Sequence, residues 1–362
     1  MTCHFLFLGA SCTHQSVHHT TGAVTGYSEY IFRYFAPFYD INCNRLSYPA
    51  RRFGAIAYAL LSNFFDDVTP TPGVVVLELM VEDHSFGNLS DYSYYENLVK
   101  YIISRGALPV FFNLPHASIN HPKRWGDKYE YVLRLAEEFD LIVIDVAPLP
   151  EDSPCRDLYF NGPNHTKFLG AQYYASQFVA NLNLIKAKLK TFHESRLPLS
   201  ARNDSSISSS LLQSGTSHFS ESFLKVEMRS LSVRFDPINT KLPISFVFDF
   251  CLGPFSPVLS YSIKNVRGNV LSHDNISLWD KYCHYERNSF VEFAFDFPAG
   301  SSRLDLCISS TLPRYDSCVN SDFDFESFSS STSERYFAIH SSPFFWVSKG
   351  CSLKNIHILF NV

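Results

Sequence analysis

An α/β unit on a three-layer parallel sheet, followed by an all-β sandwich, is the fold class that the 362-residue sequence predicts. Three observations carry it. Up to about residue 190, short apolar runs alternate with amphipathic stretches of helical length, the pattern of strands joined by crossover helices. From 195 to 221 the chain turns polar and Ser-rich, with the run Ser-Ser-Ile-Ser-Ser-Ser-Leu-Leu, and offers too little apolar surface to offset its ordering entropy. Beyond that point the apolar runs are short, β-prone and separated by Pro, Gly, Asn and Asp. The predicted organisation is 1–194 as the α/β domain, 195–221 as a linker or loop, and 222–362 as the sandwich. Two units also suit a chain longer than the roughly 250–300 residues at which a single core stops growing.

In order, residues 5–8 form a compact first strand, 26–35 a helix and 39–42 a second short strand. Ile56, Leu60 and Phe64 recur every four residues, which predicts a helix over 51–64. Residues 74–79 are β-branched and apolar without alternation, as in a strand covered on both faces. Residues 94–104 read as helix, 108–112 as strand, 128–139 as helix, 141–144 as strand and 168–189 as one long final helix. In the second domain, strands are predicted at 223–235, 244–250, 258–263, 290–297, 303–308, 337–347 and 353–359.

Bulk properties narrow the function. A formal charge of -5 gives no global attraction to a phosphate backbone, so nucleic acid is not an expected partner. The start of the chain lacks a basic segment ahead of a long apolar core, and no run of about 18 apolar residues follows, so neither a signal peptide nor membrane insertion is expected. The nine cysteines are scattered, odd in number and without CxxC pairs, which predicts free thiols and a cytoplasmic location. The phosphate-cradling Gly pattern of nucleotide sites is absent.

In doubly wound sheets ligands bind beyond the carboxyl ends of the strands, so polar residues directly after apolar runs are the candidates. Gly9-Ala10-Ser11-Cys12-Thr13-His14 follows the first strand, Glu78 to His84 the third, Asn113-Leu114-Pro115-His116 the fourth, and Asp145 ends the fifth. Gly9 allows a sharp turn that presents the Ser11 hydroxyl. Serine needs a base to become a nucleophile, and His165, in the turn-rich segment directly ahead of the final helix, is the candidate. His14, Arg52, Asp83, His84 and His116 are candidate substrate contacts around the same rim. The histidines and carboxylates there have no recognised metal-ligand spacing, so no metal site is predicted.

These blocks resemble those of the SGNH (GDSL-type) hydrolases over residues 3–190. Phe7-Leu8-Gly9-Ala10-Ser11 matches the family's opening strand and nucleophile, with Ala10 where Asp is usual. Gly54 matches the glycine whose N–H faces the oxyanion. Met80-Val81-Glu82-Asp83 falls on the third block, with Glu82 at the position of an Asn donor. Gly162-Pro163-Asn164-His165 falls on the last block, keeping the His and replacing its Asp by Gly162. A carboxylate at Glu82 repels an oxyanion, and losing one such donor typically costs about 3 kcal/mol. The resemblance implies a three-layer, flavodoxin-like sheet, with Ser11 as nucleophile, His165 as base, and oxyanion donors at Ser11, Gly54 and the Glu82 position. Asp157 or Asn161 is left as orienter of His165.

The function so implied is hydrolysis of O-acyl, chiefly O-acetyl, groups on a saccharide through an acyl-enzyme. An O-acetyltransferase with the same pair, or an inactive binding domain, is the alternative. A hydrolase needs no cofactor, whereas a transferase needs an acetyl donor such as acetyl-CoA. An acylated saccharide or other small ester is the expected partner, and Trp279, Tyr282 and Trp346 suit saccharide stacking as well as core packing.

Overall fold

The computed structural model describes residues 3–18, 20–47, 61, 65, 70–81, 93–115, 126–148, 156–161, 165–196, 226–228, 230–252, 258–278, 287–309, 337–339, 344–347 and 357–361. The chain divides into two compact units, Met1–Asn203 and Asp204–Val362. Predicted features at 51–60, 82–90, 116–125, 149–155 and 197–225 lie outside the described residues. Among the described residues no helix is long and apolar enough to cross a membrane.

The first unit is a five-stranded parallel sheet of order β2-β1-β3-β4-β5, made of β1 (Cys3–Gly9), β2 (Ile41–Ser47), β3 (Val74–Glu78), β4 (Leu108–Asn113) and β5 (Ile142–Asp145). Every residue of β3 and β4 is buried, which explains why their sequences are apolar without alternation. The intervening helices are α1 (Ser11–His14), α2 (Tyr27–Tyr30), α3 (Ala36–Tyr39), α4 (Ser93–Ser104) and α5 (Asp127–Glu138). After β5 come α6 (Arg156–Tyr159), a two-residue hairpin of β6 (Phe160–Asn161) with β7 (His165–Thr166), then α7 (Phe168–Ala180) and α8 (Leu182–Arg196).

Three boundaries differ from the sequence expectation. The helix predicted over 26–35 continues through a π turn, Ile31–Phe35, into α3, and stops where Asp40 adopts a left-handed φ of 49°. Strand β2 consequently starts at Ile41 and runs to Ser47. The single final helix predicted over 168–189 breaks at Asn181, and its second half extends to Arg196.

One face of the sheet is closed by aromatic packing. Phe178 of α7 is fully buried, with ring centroids 5.1 Å from Phe7, 5.7 Å from Phe5 and 5.6 Å from Phe112. Ala171, Tyr174, Ala175, Leu182 and Ile185 extend this layer along α7 and α8. The alternate residues Leu6, Leu8, Val75, Leu77 and Phe111 are equally buried, and the buried face of α4, with Tyr95, Leu98, Val99 and Ile102, supplies apolar cover beside β4. Phe178→Ala is expected to cost about 3–5 kcal/mol, read as a lower urea midpoint for unfolding of this unit, because the site is enclosed by rigid strands that cannot collapse into the void.

The second unit has two antiparallel sheets. One has the order β13-β10-β15-β8 with β16 also on β10, and the other is β12-β11-β14-β9-β17. These strands are β8 (Val226–Met228), β9 (Ser230–Arg234), β10 (Leu242–Leu252), β11 (Val258–Asn265), β12 (Val270–Ser277), β13 (Arg287–Phe297), β14 (Ser301–Ile308), β15 (Phe337–Ile339), β16 (Phe344–Val347) and β17 (His357–Asn361). Phe246, Phe248 and Phe250 of β10 meet Leu231 and Val233 of β9, with Leu304 and Leu306 of β14, in one core. That shared core joins the two sheets face to face.

Two runs predicted as single strands, 223–235 and 337–347, are each split into two. Strand β12 escapes the sequence reading because Ser272, His273, Asp274 and Asn275 sit on an edge strand that is largely solvated. Most phenylalanines of β10 and β13 are core residues, whereas Trp279 and Tyr282 lie outside the described residues.

Candidate active site

The carboxyl ends of the strands line up, with Gly9 registered between Ser47 of β2 and Glu78 of β3, and Asn113 of β4 beside Asp145 of β5. Ser11 follows β1 by two residues and opens α1, half-buried at this rim. The tight turn requires glycine: a Cβ on Gly9 would fall 1.9 Å from Thr13 Oγ1 and 2.9 Å from Glu78 Oε2.

Beneath Ser11 lies a buried polar chain. Thr13 Oγ1 donates to Glu78 Oε2 at 3.0 Å and lies 2.8 Å from the Tyr27 hydroxyl. With the Thr13 proton committed to the carboxylate, Tyr27 donates in turn, and burial pushes its pKa well above the usual phenol value. The Ser28 hydroxyl donates to the Thr13 carbonyl at 2.9 Å. α1 is therefore anchored from below by three side chains, which fixes the backbone that carries Ser11.

His165 starts β7, opposite Asn161 of β6 in the hairpin. The hairpin is tied to its flanks by Lys167 N–H donating to the Tyr159 carbonyl at 2.7 Å. Close approach there depends on Gly170, where a Cβ would meet the Tyr159 carbonyl oxygen at 2.2 Å. The two chain segments meet through Gln15: its Nε2 donates to the Thr166 carbonyl at 3.1 Å, and Thr166 N–H donates to Gln15 Oε1 at 3.0 Å. Residues 151 positions apart in sequence thus join the Ser11 helix to the His165 strand.

Among the described residues no carboxylate is hydrogen-bonded or ion-paired to His165. Asp157 is exposed, and its carbonyl accepts from Lys167 Nζ at 2.5 Å. His165 itself is exposed, yet the surrounding protein displaces enough water to lower its pKa from the ordinary imidazole value. A histidine that serves as a base must be neutral, so for His165 in that role the acid limb of kcat/KM is expected to have its midpoint below the ordinary imidazole value of about 6.5, with activity lost as pH falls through it. A pH–rate profile checks this; a midpoint above that value overturns it.

His14 Nδ1 is 3.2 Å from Ser47 Oγ at the end of β2, which keeps His14 on the rim but exposed. Asp145, predicted only as a strand end, accepts from Asn113 Nδ2 at 2.9 Å and from the Tyr129 hydroxyl at 2.5 Å. Arg52, Gly54, Glu82, Asp83, His84 and His116 lie outside the described residues. No group of three or more metal-ligating side chains occurs among the described residues. The residues that sequence reasoning passes over are Thr13, Gln15 and Thr166. Gln15 lies one helical turn beyond Ser11, but nothing local marks its distant partner.

The sheet order, with Ser11 directly after its first strand, defines the class: a three-layer, flavodoxin-like α/β unit, followed by an antiparallel β unit. Among solved structures, the chain is similar to a two-domain esterase (CEX) active on acetylated mannans. It is 12% identical to the form co-crystallized with mannopentaose, covering 97% of this chain and 92% of that one at a TM-score of 0.58. The other structure of that esterase is 10% identical over 96% of this chain and 91% of that one, with a TM-score of 0.52. A lipase/acylhydrolase from Enterococcus faecalis matches 50% of this chain and 95% of its own at 15% identity, with a TM-score of 0.39. At the level of sequence, no family model and no curated protein matches the chain.

Proposed function

We propose that the protein is a serine-dependent esterase that removes O-acetyl groups from a saccharide, with Ser11 as nucleophile and His165 as general base. The single observation that carries the reading is the union of the Ser11 helix and the His165 strand at the carboxyl rim of the sheet. The similarity to an esterase active on acetylated mannans supports the choice of acyl group and substrate class.

Ser11 Oγ attacks the ester carbonyl while His165 takes its proton, and the tetrahedral oxyanion is met by the Ser11 N–H; the resemblance adds Gly54, outside the described residues, as a second donor. His165 then protonates the leaving sugar oxygen, and water, deprotonated by the same imidazole, releases acetate from the acyl-enzyme. The lowered pKa of His165 keeps the base neutral without an ionised partner.

Incubation with acetylated mannan is expected to yield free acetate. Supplying acetyl-CoA with deacetylated mannan separates hydrolysis from transfer, since an acetyltransferase would yield acetylated sugar. Absence of acetate from acetylated mannan and aryl acetates, together with no labelling by a fluorophosphonate, would overturn the enzyme reading.

A further inference from the structure

The Gln15 amide acts as a rung of β-ladder made from a side chain. Its Nε2 donates to the Thr166 carbonyl and its Oε1 accepts from the Thr166 N–H, so both halves of one peptide-like exchange are present. Only one orientation of the amide satisfies this pair, because a flip would set donor against donor and oxygen against oxygen. Gln15 is itself held. Its carbonyl accepts from Arg45 Nη1 at 3.0 Å, and that guanidinium also donates to Ser28 Oγ at 3.3 Å and lies 3.8 Å from Glu29 Oε2. Gly26 presses on the same carbonyl so closely that a Cβ there would lie 1.7 Å from its oxygen. On the other side, the Thr166 hydroxyl donates to the Thr25 carbonyl at 2.5 Å.

We propose that Gln15 is a positioning residue for the Ser11–His165 pair: it fixes the peptide next to His165 against the helix that begins at Ser11, and so sets the distance and angle between base and nucleophile. The proposal rests on the Ser–His reading above and adds to it what replaces the conventional orienter. His165 is the exposed residue of a two-residue strand whose other member, Thr166, is buried, and it has no carboxylate partner among the described residues, so its placement depends on its backbone. A catalytic base displaced by about 1 Å can cost on the order of 100-fold in rate. Gln is suited to the task because Glu lacks the donor for the Thr166 carbonyl, and Asn is one methylene short.

The test compares wild type with Gln15→Met, which keeps length and bulk but removes both hydrogen bonds, and with Gln15→Asn. Turnover on an aryl acetate is expressed per Ser11 titrated by a fluorophosphonate, so that misfolded protein does not count. Both variants are expected to lose about 10–100-fold in kcat per titrated site, with KM within about 2-fold. In wild type the Thr166 amide is expected to be protected from hydrogen exchange, and in both variants it should exchange at least about 10-fold faster. A purely structural role would lower the titratable fraction while leaving kcat per site unchanged, and that result overturns the proposal. So does an unprotected Thr166 amide in wild type, even if no variant folds. Wild type that neither turns over nor labels removes the enzyme reading and this proposal together; active wild type with unaffected variants removes only the latter.

Discussion

Ser11→Ala is expected to lower kcat for ester cleavage by at least about 10⁴-fold while leaving the thermal midpoint within a few degrees of wild type. The size follows from chemistry: without the hydroxyl no acyl-enzyme forms, and what remains is binding plus oxyanion stabilisation, which by themselves give only a fraction of the acceleration of nucleophilic hydrolases. The small stability effect follows from position. Ser11 is half-buried at the rim, whereas the turn that carries it is held by Gly9, Thr13, Tyr27 and Glu78. Kinetics on an aryl acetate and circular dichroism melts measure the two quantities, and fluorophosphonate labelling should be lost in the variant. Retention of more than about a tenth of the activity by a correctly folded variant would exclude Ser11 as nucleophile.

His165→Ala is the second large effect, at about 10³–10⁴-fold in kcat, with little change in KM because the imidazole moves a proton rather than gripping the saccharide. The double variant carries the sharper expectation. Groups that act as one unit are strongly non-additive, so Ser11→Ala/His165→Ala should be about as impaired as Ser11→Ala alone. Multiplication of the two losses would mean that the residues work in separate steps, and the dyad would have to be abandoned. Since His165 is exposed, its truncation leaves no sizeable cavity, and urea unfolding should report a change within about 1 kcal/mol.

Strand positions in the α/β unit could be read from the sequence because β3 and β4 are buried on both faces, and continuous apolar runs such as Val74 to Leu77 then have one sensible explanation. The class of the second unit was legible for a different reason, since burial of one face left alternating phenylalanines in β10 and β13. Edges were not. Strand β12 is polar and lies at a sheet margin, where burial no longer imprints a pattern. The helix break at Asn181 also escapes, since the apolar spacing continues across it with Leu182 and Ile185 still facing the core.

At the site, the place of Ser11 on the rim was legible because it follows directly on β1, and strand ends are where a doubly wound sheet exposes polar groups. Gln15 and Thr166 were invisible because their importance lies in a pairing across 151 positions. Local periodicity carries no trace of such a bond. The contrast has a physical basis: burial acts on every residue of an element and leaves a pattern, whereas one side-chain hydrogen bond acts on a single pair.

The Phe178 ring that seals β1 also dictates the order in which this unit can be made. Phe5 and Phe7 are synthesised more than a hundred residues ahead of the side chain that covers them. Until α7 emerges, the first strand stays sticky and open to wrong partners. This face of the α/β unit therefore cannot close until residue 178 has been made, and a chain that stalls before that point leaves β1 for chaperones to cover.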